Sequence, residues 1–141
     1  MAIHFSNDNI TFKLENKAKL KLWIASVVKK EKCSLGQLNY TFMSDDSLLK
    51  INIEYLKHNT YTDIITFNYN EGEKISGDIF ISIDRIKENA EKFKTDFREE
   101  LHRVMIHGVL HLCGYKDKAK TDSDLMRKKE NASLRLLKQS K

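Results

Sequence analysis

Residues 107–117 read His-Gly-Val-Leu-His-Leu-Cys-Gly-Tyr-Lys-Asp and hold three possible metal ligands in one short run. In a helix, His107 and His111 leave the same face about one turn apart, as a chelating pair does. Gly114 can take a left-handed conformation just beyond the helix end and turn the chain back. Asp117 then offers a carboxylate to the same ion. The run therefore predicts a site of two imidazole nitrogens and one carboxylate oxygen.

Three protein ligands leave a zinc-type ion with an open position, where bound water becomes much more acidic than bulk water. Such a site indicates catalysis rather than scaffolding. In the alternative interpretation, His107 and His111 are hydrogen-bonded core residues and Gly114 is a plain helix cap. The combined offsets of these residues and Asp117 favour the metal. Cys113 follows His111 by two positions and points away from the chelating face, so we predict a structural thiol there.

The same spacing occurs in the long zinc-protease motif, so a zinc peptidase is one alternative function. That motif needs a glutamate directly after its first histidine as general base. This chain has Gly108 there, which can neither accept a proton nor orient water. Spacing and residue types alone therefore indicate a metal hydrolase and weigh against a peptidase.

The run resembles the signature of a known family, the YbeY-type metal-dependent endoribonucleases of bacterial ribosomal RNA maturation, which reads His-Gly-x-Leu-His-Leu-x-Gly-Tyr-Asp-His. Residues 107–115 match the first seven fixed positions of that signature, whereas Lys116 and Asp117 replace its final Asp-His. Residues 62–67, Thr-Asp-Ile-Ile-Thr-Phe, are similar to the family's Thr-Asp-Val-Leu-Ser-Phe stretch, and residues 77–82 match a second segment. The resemblance spans about residues 35–137.

This resemblance implies a single metallo-endoribonuclease domain over residues 1–141 with a zincin-like fold. It implies one Zn²⁺ ion at the predicted ligands, with Mn²⁺ or another divalent ion as alternatives. The implied substrate is single-stranded precursor 16S ribosomal RNA near its 3′ end, and the implied partner is the small ribosomal subunit, in its maturation and quality control. No DNA substrate is expected. Either water or the neighbouring 2′-hydroxyl can attack the phosphate, and the general base stays unassigned.

Three positions depart from the family pattern. Asp117 stands where the third ligand is usually histidine, and its negative charge makes harder ions such as manganese more acceptable. Tyr61 replaces a usual proline, which alters loop stiffness. Leu56 stands where most relatives carry an arginine implicated in phosphate handling, so another group must bind the phosphate. The candidates for catalytic roles beside the metal are Lys57, His58, Arg103, Tyr115 and Lys116.

Basic residues concentrate at the C-terminal end of the chain, whose net charge is +5. Residues 1–115 contain sixteen basic and sixteen acidic side chains, whereas residues 116–141 contain nine basic and four acidic ones. A positive field beside a metal attracts a polyanion such as RNA, although a solvated helix face has the same composition. This basic segment, together with the loss of the arginine at Leu56, is also compatible with a third function. In that alternative the protein is a non-catalytic, RNA-binding ribosome-assembly factor stabilised by its metal.

Composition indicates a soluble globular protein. The chain has 141 residues, of which 40% are apolar and 32% are charged, as expected of one domain with a substantial core. It has no signal-like N-terminus and no run of about 20 apolar residues, so we expect a cytoplasmic protein without a membrane partner. Two cysteines, Cys33 and Cys113, suit a reducing compartment.

Hydrophobic periodicity predicts an α+β fold in the order β-α-β-α-β-β-α-α-α. Alternating apolar residues predict strands over residues 10–14, 38–42, 65–69 and 79–83. Helical spacing predicts five helices: over 20–28, from a cap at Asp45 or Asp46 to about His58, from a cap at Asp84, over 97–112, and from Thr121 or Asp122. The sheet is then mixed and four-stranded with packed helices, and the metal site lies on a helix and the following turn.

Four further side chains have predicted positions. Trp23 lies on the apolar face of its helix, so we expect it in the core. Tyr115 is expected at the edge of the substrate cleft. Asp63 and Asp78 either cap turns or hydrogen-bond a ligand imidazole.

Overall fold

The elements follow the order that the periodicity predicts. The computed structural model describes residues 2–140. Its strands and helices are β1 (Ile3–Asn7), α1 (Lys17–Lys30), β2 (Ser34–Met43), α2 (Asp45–Leu56), β3 (Ile64–Asn68), β4 (Lys74–Ser82), α3 (Ile83–Phe93), α4 (Phe97–Leu112) and α5 (Lys120–Gln139). The predicted α+β class is confirmed.

The four strands form one mixed sheet in the order β1-β2-β4-β3. β1 and β4 both run parallel to β2, whereas β3 pairs antiparallel with β4 through a tight connection, with Ile64 opposite Ile81 and Asn68 opposite Gly77. β3 is therefore an edge strand of the sheet.

The prediction of the first strand is wrong. β1 occupies residues 3–7 and pairs with β2 from Ile3–Leu38 to Asn7–Phe42, whereas residues 10–14 are irregular. Leu14 is buried, and the other apolar residues of that loop pack against the core. The alternation comes from a loop whose apolar side chains pack against the core while the residues between them are exposed. A half-buried strand has the same pattern.

Serines, and not the predicted aspartates, cap two helices. Ser44 precedes α2, and its hydroxyl accepts the backbone N–H of Ser47 at 3.2 Å. Ser82 precedes α3 and likewise accepts the N–H of Arg85 at 3.1 Å. Ser44 directly follows β2 and Ser82 ends β4, so each cap lies at a strand-to-helix corner. Asp45 and Asp46 in α2, and Asp84 in α3, lie in the first turn, where their charge favours the helix dipole.

Two helix boundaries also shift slightly. α2 ends at Leu56, before the predicted His58, because Lys57 takes a left-handed conformation with φ 57°. α5 begins at Lys120, just before the predicted start, after Ala119. α4 spans residues 97–112 as predicted.

Helix α4 lies directly against the sheet and is held from several sides. Gly108 faces the sheet so closely that a Cβ there would lie 3.1 Å from Ile64 Cδ1 and 3.2 Å from Ile79 Cδ1. The buried hydroxyl of Tyr40 in β2 donates to the carbonyl of Met105 at 2.9 Å. These contacts fix the height and the position of α4 over the sheet.

The last helix packs over α1 and α4. Trp23 is buried as predicted, and its indole Nε1 donates to the carbonyl of Ser133 in α5 at 2.7 Å. None of the helices within residues 2–140 is both long and apolar enough to cross a membrane.

Candidate functional site

The C-terminal end of α4 makes the turn that the sequence predicts. Gly114 has φ 110°, its N–H donates to the carbonyl of His111 at 3.0 Å, and the N–H of Tyr115 donates to the carbonyl of Leu110 at 3.1 Å. This pair of bonds is a Schellman motif, which needs a positive φ at the glycine. The amide of Asn70, in the β3–β4 connection, donates to the carbonyl of Leu112 at 2.8 Å and fastens the helix end to the sheet.

The turn brings Asp117 back to the first histidine of the run. Oδ2 of Asp117 lies 3.3 Å from Nε2 of His107. Two atoms that bind one tetrahedral ion through bonds of about 2.0–2.1 Å are separated by about 3.3–3.4 Å. The pair is therefore spaced as two ligands of one zinc-type ion.

His111 lines the same cleft and is exposed. Within residues 2–140, however, no three side chains of His, Cys, Asp or Glu are arranged to hold a metal ion. The donor set nevertheless fits such an ion chemically, because two imidazoles and one carboxylate open into one polar cleft and are ligand types that zinc prefers.

A glutamate that sequence reasoning missed stands behind His107. Oε2 of Glu130 in α5 lies 2.7 Å from Nδ1 of His107, and Oε1 accepts a hydrogen bond from Arg103 at 3.0 Å. The Glu130 side chain is only 8% exposed. The sequence does contain a signal for it, because Glu130 falls at helical spacing among Met126, Leu134 and Leu137, the residues that α5 buries.

The charges around His107 act on its pKa in both directions. Burial lowers the pKa of the imidazole, whereas its hydrogen bond to the Glu130 carboxylate and the charges of Glu130, Asp117 and Asp63 raise it. The net shift is upward. Because a ligand nitrogen must be deprotonated, protons compete with a metal for this side chain.

The cleft has a volume of about 580 Å³ and lies between the segment entering β3 and helices α3, α4 and α5. Asp63 and Glu100 line it as half-buried and buried carboxyls, and burial raises the pKa of each. The Asp63 carboxylate accepts a hydrogen bond from Asn89 at 3.4 Å, so within residues 2–140 its side-chain partner is an amide and not an imidazole. Asp78 pairs with Asn39 of the adjacent strand at 3.1 Å, outside the cleft lining.

The candidates for a catalytic cation lie in different places. Arg103 lines the cleft, but its guanidinium donates to Glu130 and to Asn131 at 2.8 Å. His58 lines an adjoining cavity of about 330 Å³ together with Leu56. Lys57 and Lys116 are exposed, and neither lines the cleft.

The expected position of Tyr115 at the cleft edge is wrong. Its ring packs against the core, its hydroxyl donates to Glu31, and Lys129 Nζ lies 5.5 Å from the ring centroid. In a Schellman motif the residue after the glycine commonly packs back on the helix, which explains this direction. Cys113 is half-buried on the same side, near Cys33, and burial raises the pKa of its thiol to about 12. As predicted, it is a structural thiol.

Comparisons with known proteins identify the family of this chain. A family model described as "Endoribonuclease YbeY" matches residues 2–138. A protein of that name from Flavobacterium psychrophilum is 52% identical over 130 residues, which cover 92% of this chain and 93% of the relative. One from Cytophaga hutchinsonii is 49% identical over 137 residues, which cover 96% of each chain.

The fold has a solved counterpart. The solution structure of TM1509 from Thermotoga maritima superimposes with a TM-score of 0.68 at 27% identity, covering 96% of this chain and 88% of that protein. The histidine helix, its glycine turn and the mixed sheet thus occur in a chain that the family model matches over almost its whole length. The protein belongs to the endoribonuclease YbeY family.

Proposed function

We propose that this protein is a metal-dependent endoribonuclease that cleaves single-stranded precursor 16S ribosomal RNA near its 3′ end, in association with the small ribosomal subunit. The observation that carries the proposal is the pairing of His107 Nε2 with Asp117 Oδ2 at 3.3 Å on the wall of a polar cleft. The names of the relatives support the reaction class, and the substrate and the partner are what the resemblance to that family implies. The activity belongs to one domain in the cytoplasm, where such a precursor resides.

In this proposal His107, His111 and Asp117 hold one divalent ion. Zinc is the first choice because two of the three donors are imidazoles, and manganese is the second because the third is a carboxylate. When bound, the ion supplies a Lewis acid for the phosphate oxygens and a more acidic water. The protein side chains of the cleft bind the RNA and orient the scissile phosphate at the ion.

Among the arginines of residues 2–140 that line the cleft, Arg127 is the one whose N–H donors have no close acceptor. Its side chain is 61% exposed and lies 3.8 Å from Glu130, whereas Arg103 is occupied by two closer acceptors. Guanidinium groups bind phosphate oxygens through paired N–H donors. We therefore assign to Arg127 a contact with an RNA phosphate, in place of the arginine that Leu56 replaces.

A strand of RNA has room to continue beyond the cleft. The adjoining cavity lined by His58 shares Thr62, Ile64 and Thr66 with the cleft, so the two form neighbouring spaces along the segment that enters β3. Such a path suits an extended single strand, whose backbone and bases need several adjacent contacts.

The peptidase alternative loses further support from the position of Gly108. A Cβ at this residue would point at Ile64 and Ile79 in the sheet. A glutamate there would meet apolar side chains and not the cleft. The general base of a zinc peptidase therefore has no place at this position.

Cleavage of a labelled single-stranded RNA that contains a precursor 16S 3′ end tests the proposal. The purified protein is assayed alone, with chelator, and with zinc or manganese restored, beside His111→Ala. We expect cleavage that chelation stops, that metal restores and that the substitution abolishes. Arg135→Ala, a change on an exposed part of α5 outside the cleft lining, is the matched control and should cleave normally.

Two other results would contradict the proposal. Cleavage that persists in His111→Ala indicates a contaminating nuclease. RNA binding without turnover, on naked RNA and on small subunits alike, indicates the non-catalytic assembly factor.

A further inference from the structure

We propose that Glu130 is a positioning residue for His107, whose imidazole it holds with the proton on Nδ1 and with Nε2 facing Asp117 and the cleft. The inference rests on the proposed function in one respect, since it takes His107 as a metal ligand. It concerns a residue on a different helix, which the spacing of the histidine run does not include.

The geometry of the contact supports this role. The distance of 2.7 Å between Oε2 of Glu130 and Nδ1 of His107 is that of a charge-assisted hydrogen bond. An acceptor at Nδ1 holds the ring at one rotation and places the hydrogen on that nitrogen. The lone pair of Nε2 is then free on the side where Asp117 lies at 3.3 Å. Metal-binding histidines commonly donate their other ring N–H to a carboxylate in this way.

The burial of Glu130 costs free energy, because its carboxylate loses hydration. A carboxylate that is 8% exposed loses most of its hydration and is retained in a folded protein only when partners replace the water. Here the two oxygens divide the task, since Oε1 accepts from Arg103 and Oε2 faces His107. An apolar residue would pack α5 against α4 without that desolvation cost.

A purely structural role is the competing explanation. Glu130 also joins α5 to Arg103 of α4, and this ion pair alone would justify a buried glutamate. The two roles use different oxygens and different partners. Substitution of Arg103 removes the interhelix ion pair and leaves the contact with His107 in place.

The experiment measures zinc affinity by competition with a chelating indicator, for the full chain and three variants. Glu130→Gln keeps an acceptor at Nδ1 but removes the charge, Glu130→Ala removes both, and Arg103→Gln is the matched control. Loss of such a supporting partner typically lowers metal affinity roughly 10–100-fold. We expect a loss near the lower end of that range for Glu130→Gln and near the upper end for Glu130→Ala. Arg103→Gln should lose stability and stay within about twofold of the parent affinity.

A second measurement does not depend on metal or activity. Side-chain nitrogen NMR of the metal-free protein at alkaline pH identifies which ring nitrogen carries hydrogen. We expect the Nδ1–H form of His107 in the parent and in Arg103→Gln, and a shift toward the Nε2–H form in Glu130→Ala. If Glu130→Ala does not fold, Glu130→Gln provides the affinity and the tautomer comparison.

The possible outcomes separate this inference from the proposed function. Unchanged zinc affinity in both Glu130 variants, or an equal loss in Arg103→Gln, would overturn the positioning role. If the parent protein binds no zinc or manganese, the metal part of the proposed function fails, and the tautomer of His107 still decides whether Glu130 orients the ring.

Discussion

The hydroxyl of Tyr40, at the centre of the sheet, donates a hydrogen bond to the main-chain carbonyl of Met105 in the helix that carries the histidines. The phenol is fully buried, and burial raises its pKa far above the ordinary value. A neutral donor therefore joins the sheet to α4 at every physiological pH.

Removal of this hydroxyl should destabilise the fold. Tyr40→Phe keeps the ring but leaves the carbonyl of Met105 without its side-chain donor, which costs about 1–2 kcal/mol of unfolding free energy. Chemical denaturation measures the loss. Tyr55→Phe, at a side chain that is 62% exposed, is the control and should change stability by less than about 0.5 kcal/mol. Equal effects of the two substitutions would contradict the assignment.

Stability should fall at mildly acid pH because of His102. Burial, with the nearby charge of Arg98, lowers its pKa to about 4, and its ring packs against Trp23. In the unfolded chain the pKa is about 6.5, so between about pH 6.5 and 4 the unfolded chain binds a proton that the folded protein does not. Above about pH 6.5 the His102 imidazole is neutral in both the folded and the unfolded chain, and its titration costs no stability.

The loss from His102 amounts to about 3 kcal/mol at most by pH 4. Denaturation curves over this range, for the parent and for His102→Gln, isolate it from other titrating groups. The parent should lose more stability than the variant as the pH falls. Parallel curves would show that the imidazole titrates normally.

A methyl group at position 108 should crowd the contact between α4 and the sheet. In Gly108→Ala the new Cβ meets the methyl groups of Ile64 and Ile79 at 3.1–3.3 Å. Crowding of this kind costs about 1–3 kcal/mol, which exceeds the helix propensity gained of about 1 kcal/mol. We expect a net loss in thermal unfolding. Ile64→Val in the same chain should recover part of it, and a stabilised single variant would contradict the close approach.

Arg127→Ala should weaken RNA binding. The loss of one phosphate contact lowers affinity several-fold at low salt and reduces the slope of log affinity against log salt by about one. Titrations of labelled single-stranded RNA at several salt concentrations measure both quantities. Arg135→Ala, a change on the same helix outside the cleft lining, should have a much smaller effect. The same loss in both variants would indicate a general charge effect and no phosphate contact in the cleft.

Asp117→His should change which metal the protein prefers. A third neutral imidazole favours zinc over manganese more strongly than a carboxylate does. Competition titrations with both ions should therefore show a larger ratio of zinc to manganese affinity in the variant. An unchanged ratio would place Asp117 outside the coordination sphere.

The parts of the structure that follow from local rules could be predicted. Helix α4 has its predicted ends because its periodicity is unbroken, and the turn at Gly114 depends on bonds between residues a few positions apart. The sequence therefore places Asp117 near His107 before any tertiary contact is considered. Residues 62–67, which resemble a family stretch, contribute to the lining of the cleft in the structure, a position that the resemblance did not itself predict.

Most features that the sequence does not predict depend on contacts between residues that are distant in the chain. Glu130 meets His107 only because α5 packs on α4, and no local rule gives the side of α5 that faces the imidazole. The predicted first strand falls at residues 10–14 and not at β1, because the apolar residues of this loop pack against the core with the alternation of a strand. Tyr115 is an exception, because its direction toward Glu31 follows from the local Schellman motif, in which the residue after the glycine packs back on the helix.

The turn after α4 is held by main-chain donors and by the amide of Asn70, and the side chain at position 117 takes no part in those bonds. The backbone of the turn therefore places the side chain of residue 117 at the cleft, whichever metal-binding residue occupies that position. A lineage can exchange histidine for aspartate at this position without redesigning the helix that precedes it. Metal preference can consequently change in evolution without a change in the fold.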